Sequence, residues 1–272
     1  FHPIRLVATV FSSFRLSLPG IAAALSGLLV LAIPLFLLAF ALPLFEGGQW
    51  AALFSWHWRP LAGEFGILPM LAGSLLLSTS AMLLAFPLAL GLCTFVHGLG
   101  PQWAARPLST IIHAMTSVPT VVYGLASMFL LVPLIRNAFS GAGFSWLAAT
   151  LTLSLLVLPT IVLLIDSQFR QLRMSLHLSA VALGFDRVQL MVCLILPLSV
   201  RGMALAAVLG FGRAIGDTLL PLMLAGNAPL LPASPLAPLR TLTAHIALVV
   251  ATDSQSTAYH SLFACGLLLF LV

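Results

Sequence analysis

Residues Gly202–Leu224 read GMALAAVLGFGRAIGDTLLPLML. A bilayer core of roughly 30 Å takes about 20 apolar residues in a helix, so this run is long enough to cross a membrane. It nevertheless holds two charges, Arg213 and Asp217, four residues apart. A charge at bilayer depth costs about 2.5–3.5 kcal/mol on the insertion scale. On an unbroken helix, positions i and i+4 share a face, so the spacing predicts that the two side chains meet and neutralise each other. Such a pair marks a pathway or a gate. The alternative is a structural staple between helices.

Five further apolar runs flank this one: Ile21–Phe45, Ile67–Val96, Leu108–Leu134, Phe144–Ile165 and Ala258–Val272. Their apolarity is continuous, without the period-two alternation of a barrel strand, so they read as helices. The expected fold is an all-α polytopic membrane protein with about six transmembrane helices. Composition agrees: 61% of residues are hydrophobic and 6% charged, against roughly 25% charged in a soluble domain. All eleven basic residues are Arg. Without Lys the chain carries neither a P-loop lysine nor a Schiff base, so it is not itself a Walker-type ATPase. Nothing in so sparse a basic balance indicates nucleic acid. The absence of an initial Met and the apolar last residues suggest trimmed ends. Cys93, Cys193 and Cys265 are odd in number and widely spaced. They read as small apolar fillers rather than a disulfide or metal set.

Orientation follows from the arginines. With the N-terminus cytoplasmic, that side holds Arg5, Arg15, Arg106, Arg170, Arg173, Arg187 and Arg201, against Arg59, Arg136 and Arg240 opposite. Residues 1–20 form a cytoplasmic segment, either a short interfacial helix (Leu6, Val10, Phe14 and Leu18 recur every four residues) or a solvated tail. Residues 21–272 form one membrane unit. The external loop Glu46–Gly66 carries Trp50, Trp56 and Trp58, suited to an interfacial belt. The other, Asn227–Gln255, holds Pro229, Pro232, Pro235 and Pro238, and is expected to be extended or irregular. In Leu108–Leu134, the polar residues His113, Thr116, Ser117 and Thr120 fall on one helical stripe beside Pro119, with Tyr123 following. They read as a pathway wall or as interhelical hydrogen bonding. Ser78, Thr79, Ser80, Thr150, Thr152 and Ser154 are weaker candidates. No nucleophile–base set appears, and no catalytic or metal role is assigned to any residue, His245 and His260 included.

The longest cytoplasmic connection runs from Asp166 to about Arg201. Ser179–Leu183 reads as a short helix stopped by Gly184. Asp186 with Gln189 three residues on reads as a capping box that starts another. The result is a compact, unusually apolar knob.

Leu178-Ser-Ala-Val-Ala-Leu-Gly184-Phe-Asp186, followed by Leu196-Pro197, resembles the cytoplasmic coupling loop of ABC-importer permeases. That loop reads Glu-Ala-Ala, three residues, Gly, then Leu-Pro. Leu178 stands where the family has Glu. Gly212-Arg-Ala-Ile-Gly-Asp-Thr218 with Gly226-Asn, and Ser117-Val-Pro-Thr-Val-Val-Tyr-Gly124, are similar to helices of the phosphate-specific (Pst-type) branch, with Asp217 in place of Glu. The likeness runs from about Ser74 onward. It implies a type I ABC-importer permease fold in a bacterial inner membrane, and a non-enzymatic translocation subunit for inorganic phosphate working by alternating access.

The implied partners are a second permease subunit, a cytoplasmic ATPase dimer that holds the ATP and Mg, and an extracytoplasmic phosphate-binding protein. The chain itself needs no cofactor. Arg213, Asp217, Thr218, Ser117, Thr120 and Tyr123 are then expected at the pathway or gate. Leu178, Ser179, Ala180, Gly184, Phe185 and Asp186 are expected to touch the ATPase. Arg213 would compensate a crossing anion, and Asp217 would hold Arg213 when none is present. The competing readings are a permease for molybdate or sulfate, a stand-alone anion carrier or channel, and a membrane sensor. The lack of an internal repeat and the coupling-loop pattern weigh against the carrier.

Overall fold

A computed structural model describes residues 3–46, 53–139, 141–250 and 257–272. Trp50, one of the expected belt tryptophans, lies outside them. The chain divides into two compact units, residues 1–51 with 252–272, and residues 52–251.

In the first unit a long helix, α1 (Pro3–Glu46), packs against the last helix, α10 (Thr257–Leu271). Phe40 and Phe263 stack with ring centroids 4.9 Å apart. The His260 ring shares a hydrogen bond with the Phe40 carbonyl at 3.2 Å. The segment before the first apolar run is thus neither a separate interfacial helix nor a tail, because the helix passes through Pro19 without a break.

The second unit opens with a two-stranded hairpin, β1 (Trp58–Arg59) and β2 (Glu64–Phe65). Helices α2 (Leu68–Thr94), α3 (Gln102–Met115), α4 (Thr120–Ala138) and α5 (Trp146–Ala182) follow. A bent pair comes next, α6 (Arg187–Leu198) and α7 (Val200–Gly216), at 64°. Two short helices, α8 (Leu219–Leu224) and α9 (Leu242–Val249), complete it. Among the described residues α1, α2, α4 and α5 each contain a span long and apolar enough to cross a membrane, and α6 with α7 makes a fifth. The sixth expected span, α10, is apolar but shorter.

The core sits around α5. Ser74, Ser78, Ala81, Ala85, Ala89 and Cys93 are fully buried at three- or four-residue steps along α2, which packs along α5. Small residues at this spacing let backbones approach where lipid removes most of the hydrophobic drive. Gly210 does the same for α7, since a Cβ there would lie 2.8 Å from Ile161 on α5. Hydroxyls fasten α5 to α2 and to α4. Ser80 and Thr150 are 3.0 Å apart, Trp146 Nε1 donates to Ser80 Oγ at 2.9 Å, and Thr152 Oγ1 donates to Ser127 Oγ at 2.8 Å. Of the two readings open for these weaker candidates, Ser80, Thr150 and Thr152 follow the bonding one.

Two expectations fail for reasons of local backbone. The run Leu108–Leu134 is not one span, because α3 ends at Met115 and α4 starts at Thr120 with Pro119 as its N-cap. Proline restricts the residue before it to extended backbone. The polar stripe built on helical spacing across 113–120 therefore does not exist. The loop Asn227–Gln255 is irregular only in part. Its prolines occupy the first half, while Thr241 caps α9 by accepting from the Ala244 N–H at 3.2 Å. That first half covers the start of α5, where the Trp146 and Leu147 N–H groups donate to Ala237 and Pro235 carbonyls. Buried His245 lies edge-on to Trp58, with centroids 4.3 Å apart. Burial pushes its pKa down to about 3, so the ring is neutral at pH 7.

Candidate functional site: an arginine-walled cavity and an apolar turn

A cavity of about 340 Å³ is lined by Thr120, Leu156, Gly212, Arg213, Gly216 and Asp217. It brings together three of the expected pathway residues. The other three stand apart from its lining. Ser117 is exposed in the turn between α3 and α4. Tyr123 hydroxyl donates to the Met115 carbonyl at 3.0 Å, tying the two helices across their break. Thr218 is half-buried at the start of α8.

The expected ion pair between Arg213 and Asp217 is not formed. The prediction required helix through both residues, but α7 ends at Gly216 and Asp217 is extended, at φ −72° and ψ 128°. Asp217 Oδ1 instead accepts from the Leu219 N–H at 3.1 Å, as an Asp does at a helix start. Its Oδ2 is buried without a partner. Thr243, which no sequence signal singled out for this place, donates to the Asp217 carbonyl at 2.9 Å. Arg213 is exposed within this chain and makes no side-chain hydrogen bond or ion pair among the described residues. A cation and a carboxylate thus share one cavity without closing on each other.

At the far end of α5 the chain makes the expected turn, with one correction. Ser179–Leu183 is no separate helix, because α5 runs unbroken from Trp146 to Ala182. Gly184 stops it at φ +77°. The Gly184 N–H donates to Val181 and the Phe185 N–H to Ala180, at 3.0 and 2.9 Å, the paired bonds of a Schellman ending. The capping box forms as expected: the Asp186 side chain accepts from the Gln189 N–H, and Gln189 Oε1 from the Asp186 N–H at 3.0 Å, while Asp186 Oδ1 also accepts from the Arg187 N–H at 2.6 Å. Ala180 is buried and Phe185 half-buried, while Ser179, Gly184 and Asp186 are exposed. Leu178 and Leu183 are 83% and 74% exposed. Cys193 is exposed on α6, so it is no buried filler, unlike Cys93 and Cys265.

One cluster was missed. Asp166 on α5 holds His97 Nε2 at 2.6 Å and Arg170 Nη2 at 2.9 Å, and Arg173 Nη1 donates to the His97 carbonyl at 3.0 Å. The signal in the sequence was the Asp166–Arg170 spacing of four on what proves to be continuous helix.

Residues 92–272 match the family described as binding-protein-dependent transport system inner membrane component. The probable ABC transporter permease protein YqgH of Bacillus subtilis is 34% identical over 224 residues, 81% of this chain and 72% of that protein. The phosphate transport system permease proteins PstC of Pasteurella multocida and Xylella fastidiosa (strain 9a5c) are 29% and 30% identical. They cover 80% and 87% of this chain, and 75% and 81% of their own lengths are matched. A solved structure of the MetNI methionine ABC transporter, inward facing, superposes with a TM-score of 0.53 at 17% identity. The match covers 76% of this chain and 88% of that one. This last likeness concerns the fold alone.

Proposed function

Because the chain belongs to the family of binding-protein-dependent transport system inner membrane components, we propose that it carries inorganic phosphate through the cavity walled by Arg213. The chain is a multi-pass ABC-importer permease with the type I permease fold. The phosphate reading draws on the PstC likeness over most of the chain. The observation that carries it is an arginine in the fifth membrane span that lines a cavity and makes no side-chain hydrogen bond or ion pair among the described residues. Phosphate needs positive charge and several donors, and Arg213 with the Thr120 hydroxyl supplies both. Asp217, which lines the same cavity, draws Arg213 back when no anion is present. In this reading the open pair is the anion-accepting state and the closed pair the resting state.

Coupling follows from connectivity. The apolar turn at 183–186 joins α5 to the α6–α7 pair. Both sides of that join reach the cavity, α5 through Leu156 and α7 through Arg213. From Leu156 to Ala180 is about 36 Å of unbroken helix at 1.5 Å per residue. A partner ATPase gripping exposed Leu178, Leu183 and the capped Asp186 turn from the cytoplasm would move both cavity walls together. Leu178 offers that partner an apolar contact in place of a charged one. The remaining partners in this reading are a second permease subunit and an extracytoplasmic phosphate-binding protein.

The test is uptake of labelled phosphate into liposomes holding the chain with its co-purifying partners and the binding protein. ATP on the cytoplasmic face should be required, and excess molybdate or sulfate should not compete. Uptake without ATP would indicate a carrier, and competition would indicate another oxyanion.

A further inference from the structure

A second and larger space, about 900 Å³, opens between the C-terminal part of α5 and the start of α3. Its walls carry Arg106, Arg170, Arg173 and Arg187, and no carboxylate. Four of the chain's eleven arginines therefore converge on one cleft. Two are engaged with the protein: Arg170 on Asp166, and Arg173 on the His97 carbonyl. The other two are not. Arg106 and Arg187 are exposed, and their side chains make no hydrogen bond or ion pair among the described residues. The nearby carboxylates are already in use, Asp166 on His97 and Arg170, and Asp186 on the Arg187 backbone N–H.

Like charges around a concave, low-dielectric space raise the local concentration of anions. Guanidinium forks match phosphate oxygens two at a time, which a point charge does not. Apolar Val96, Ala105 and Met174 line the cleft among the arginines. Basic pockets at the ends of membrane helices take phospholipid headgroups in this way.

We propose that this cleft binds a phosphate-type group, carried by a free anion or by the headgroup of an anionic phospholipid, at a site separate from the Arg213 cavity. The proposal holds whatever the transported cargo. It is tested on the assembled transporter in nanodiscs of phosphatidylcholine. Inorganic phosphate is titrated by calorimetry, and phosphatidylglycerol retention is measured by native mass spectrometry. One of the two probes should bind, and should bind about tenfold or more weakly to Arg106→Gln/Arg187→Gln, as expected for the loss of charge-assisted bonds. Arg106→Lys/Arg187→Lys should recover part of the affinity, and Arg201→Gln, outside the cleft, should leave it unchanged. Saturable phosphate binding would identify the free anion; retention of phosphatidylglycerol alone would identify the headgroup. The proposal is overturned if neither probe separates wild type from the double variant. It is equally overturned if Arg201→Gln weakens binding as much, or if the phosphate signal disappears in Arg213→Ala and survives in the double variant.

Discussion

Asp166 with Arg170, and Arg213 with Asp217, are the two acid–base pairs spaced four residues apart in the second unit. The first closes at 2.9 Å and recruits His97 as well. The second stays open. The difference lies in the backbone. Asp166 and Arg170 sit within one continuous helix, whereas Gly216 ends α7 one residue before Asp217. Order contributes too. An acid placed before its base complements the helix dipole, and the reverse order opposes it. A spacing of four is therefore a statement about contact only where the helix is known to continue. The closed pair is a fastener; the open pair is the one that the proposed function assigns to the anion.

The largest effect expected from breaking this contrast is in Arg213→Ala. Phosphate uptake by the reconstituted transporter should fall to background while the complex still assembles, and Arg213→Lys should keep part of the rate. Unchanged uptake in the alanine variant would make Arg213 a staple rather than a pathway residue.

Asp166→Ala comes next and should act on stability. It strands His97, which is 10% exposed, and frees Arg170. Removing one partner from a half-buried charged network costs about 1–3 kcal/mol. Thermal unfolding of the solubilised complex should show the loss. A His97→Ala/Asp166→Ala double variant should cost less than the sum of the singles.

Much of this was legible in the sequence because hydrophobic length and terminal signals are local properties. The apolar runs, the stop at Gly184 and the Asp186–Gln189 box required no partner from elsewhere in the chain. What escaped depended on distant residues or on helix ends. His97 reaches Asp166 from 69 residues away, so no spacing announces it. Thr243 reaches the Asp217 carbonyl across 26 residues and the proline-rich loop. The stripe over 113–120 failed because Pro119 decides where α4 begins, and the apolar run passes through it unmarked. Two charges in one apolar run singled out Arg213 and Asp217 as a pair, without revealing that both line a cavity and do not meet.

Gly216→Ala sharpens the comparison by trying to convert the open pair into the closed kind. No atom lies within 4 Å of a Cβ placed at Gly216, so the change is sterically free. Alanine favours helix over glycine by about 1 kcal/mol, which bears on whether α7 continues through Asp217. Closure of the pair would withdraw Arg213 from the anion. Uptake should fall by up to about fivefold, the factor that 1 kcal/mol supplies, with Tm unchanged or raised. Full uptake would show that the end of α7 does not set the state of the pair.

The smallest effect is expected from replacing each carboxylate by its amide. Asp217→Asn keeps an oxygen to accept from the Leu219 N–H, and removes a charge that no arginine is holding. Asn caps helices about as well as Asp and no ion pair is lost, so Tm should hold or rise. Asp166→Asn keeps the shape too, but gives up the charge that both His97 and Arg170 use, so its Tm should drop. If Asp217 is the counter-charge that recaptures Arg213, the signature of Asp217→Asn lies elsewhere, in raised ATP-independent leak of phosphate from loaded liposomes. Equal destabilisation by the two amides would mean that the Arg213–Asp217 pair is closed in the membrane. The contrast between fastener and gate would then fail at its base.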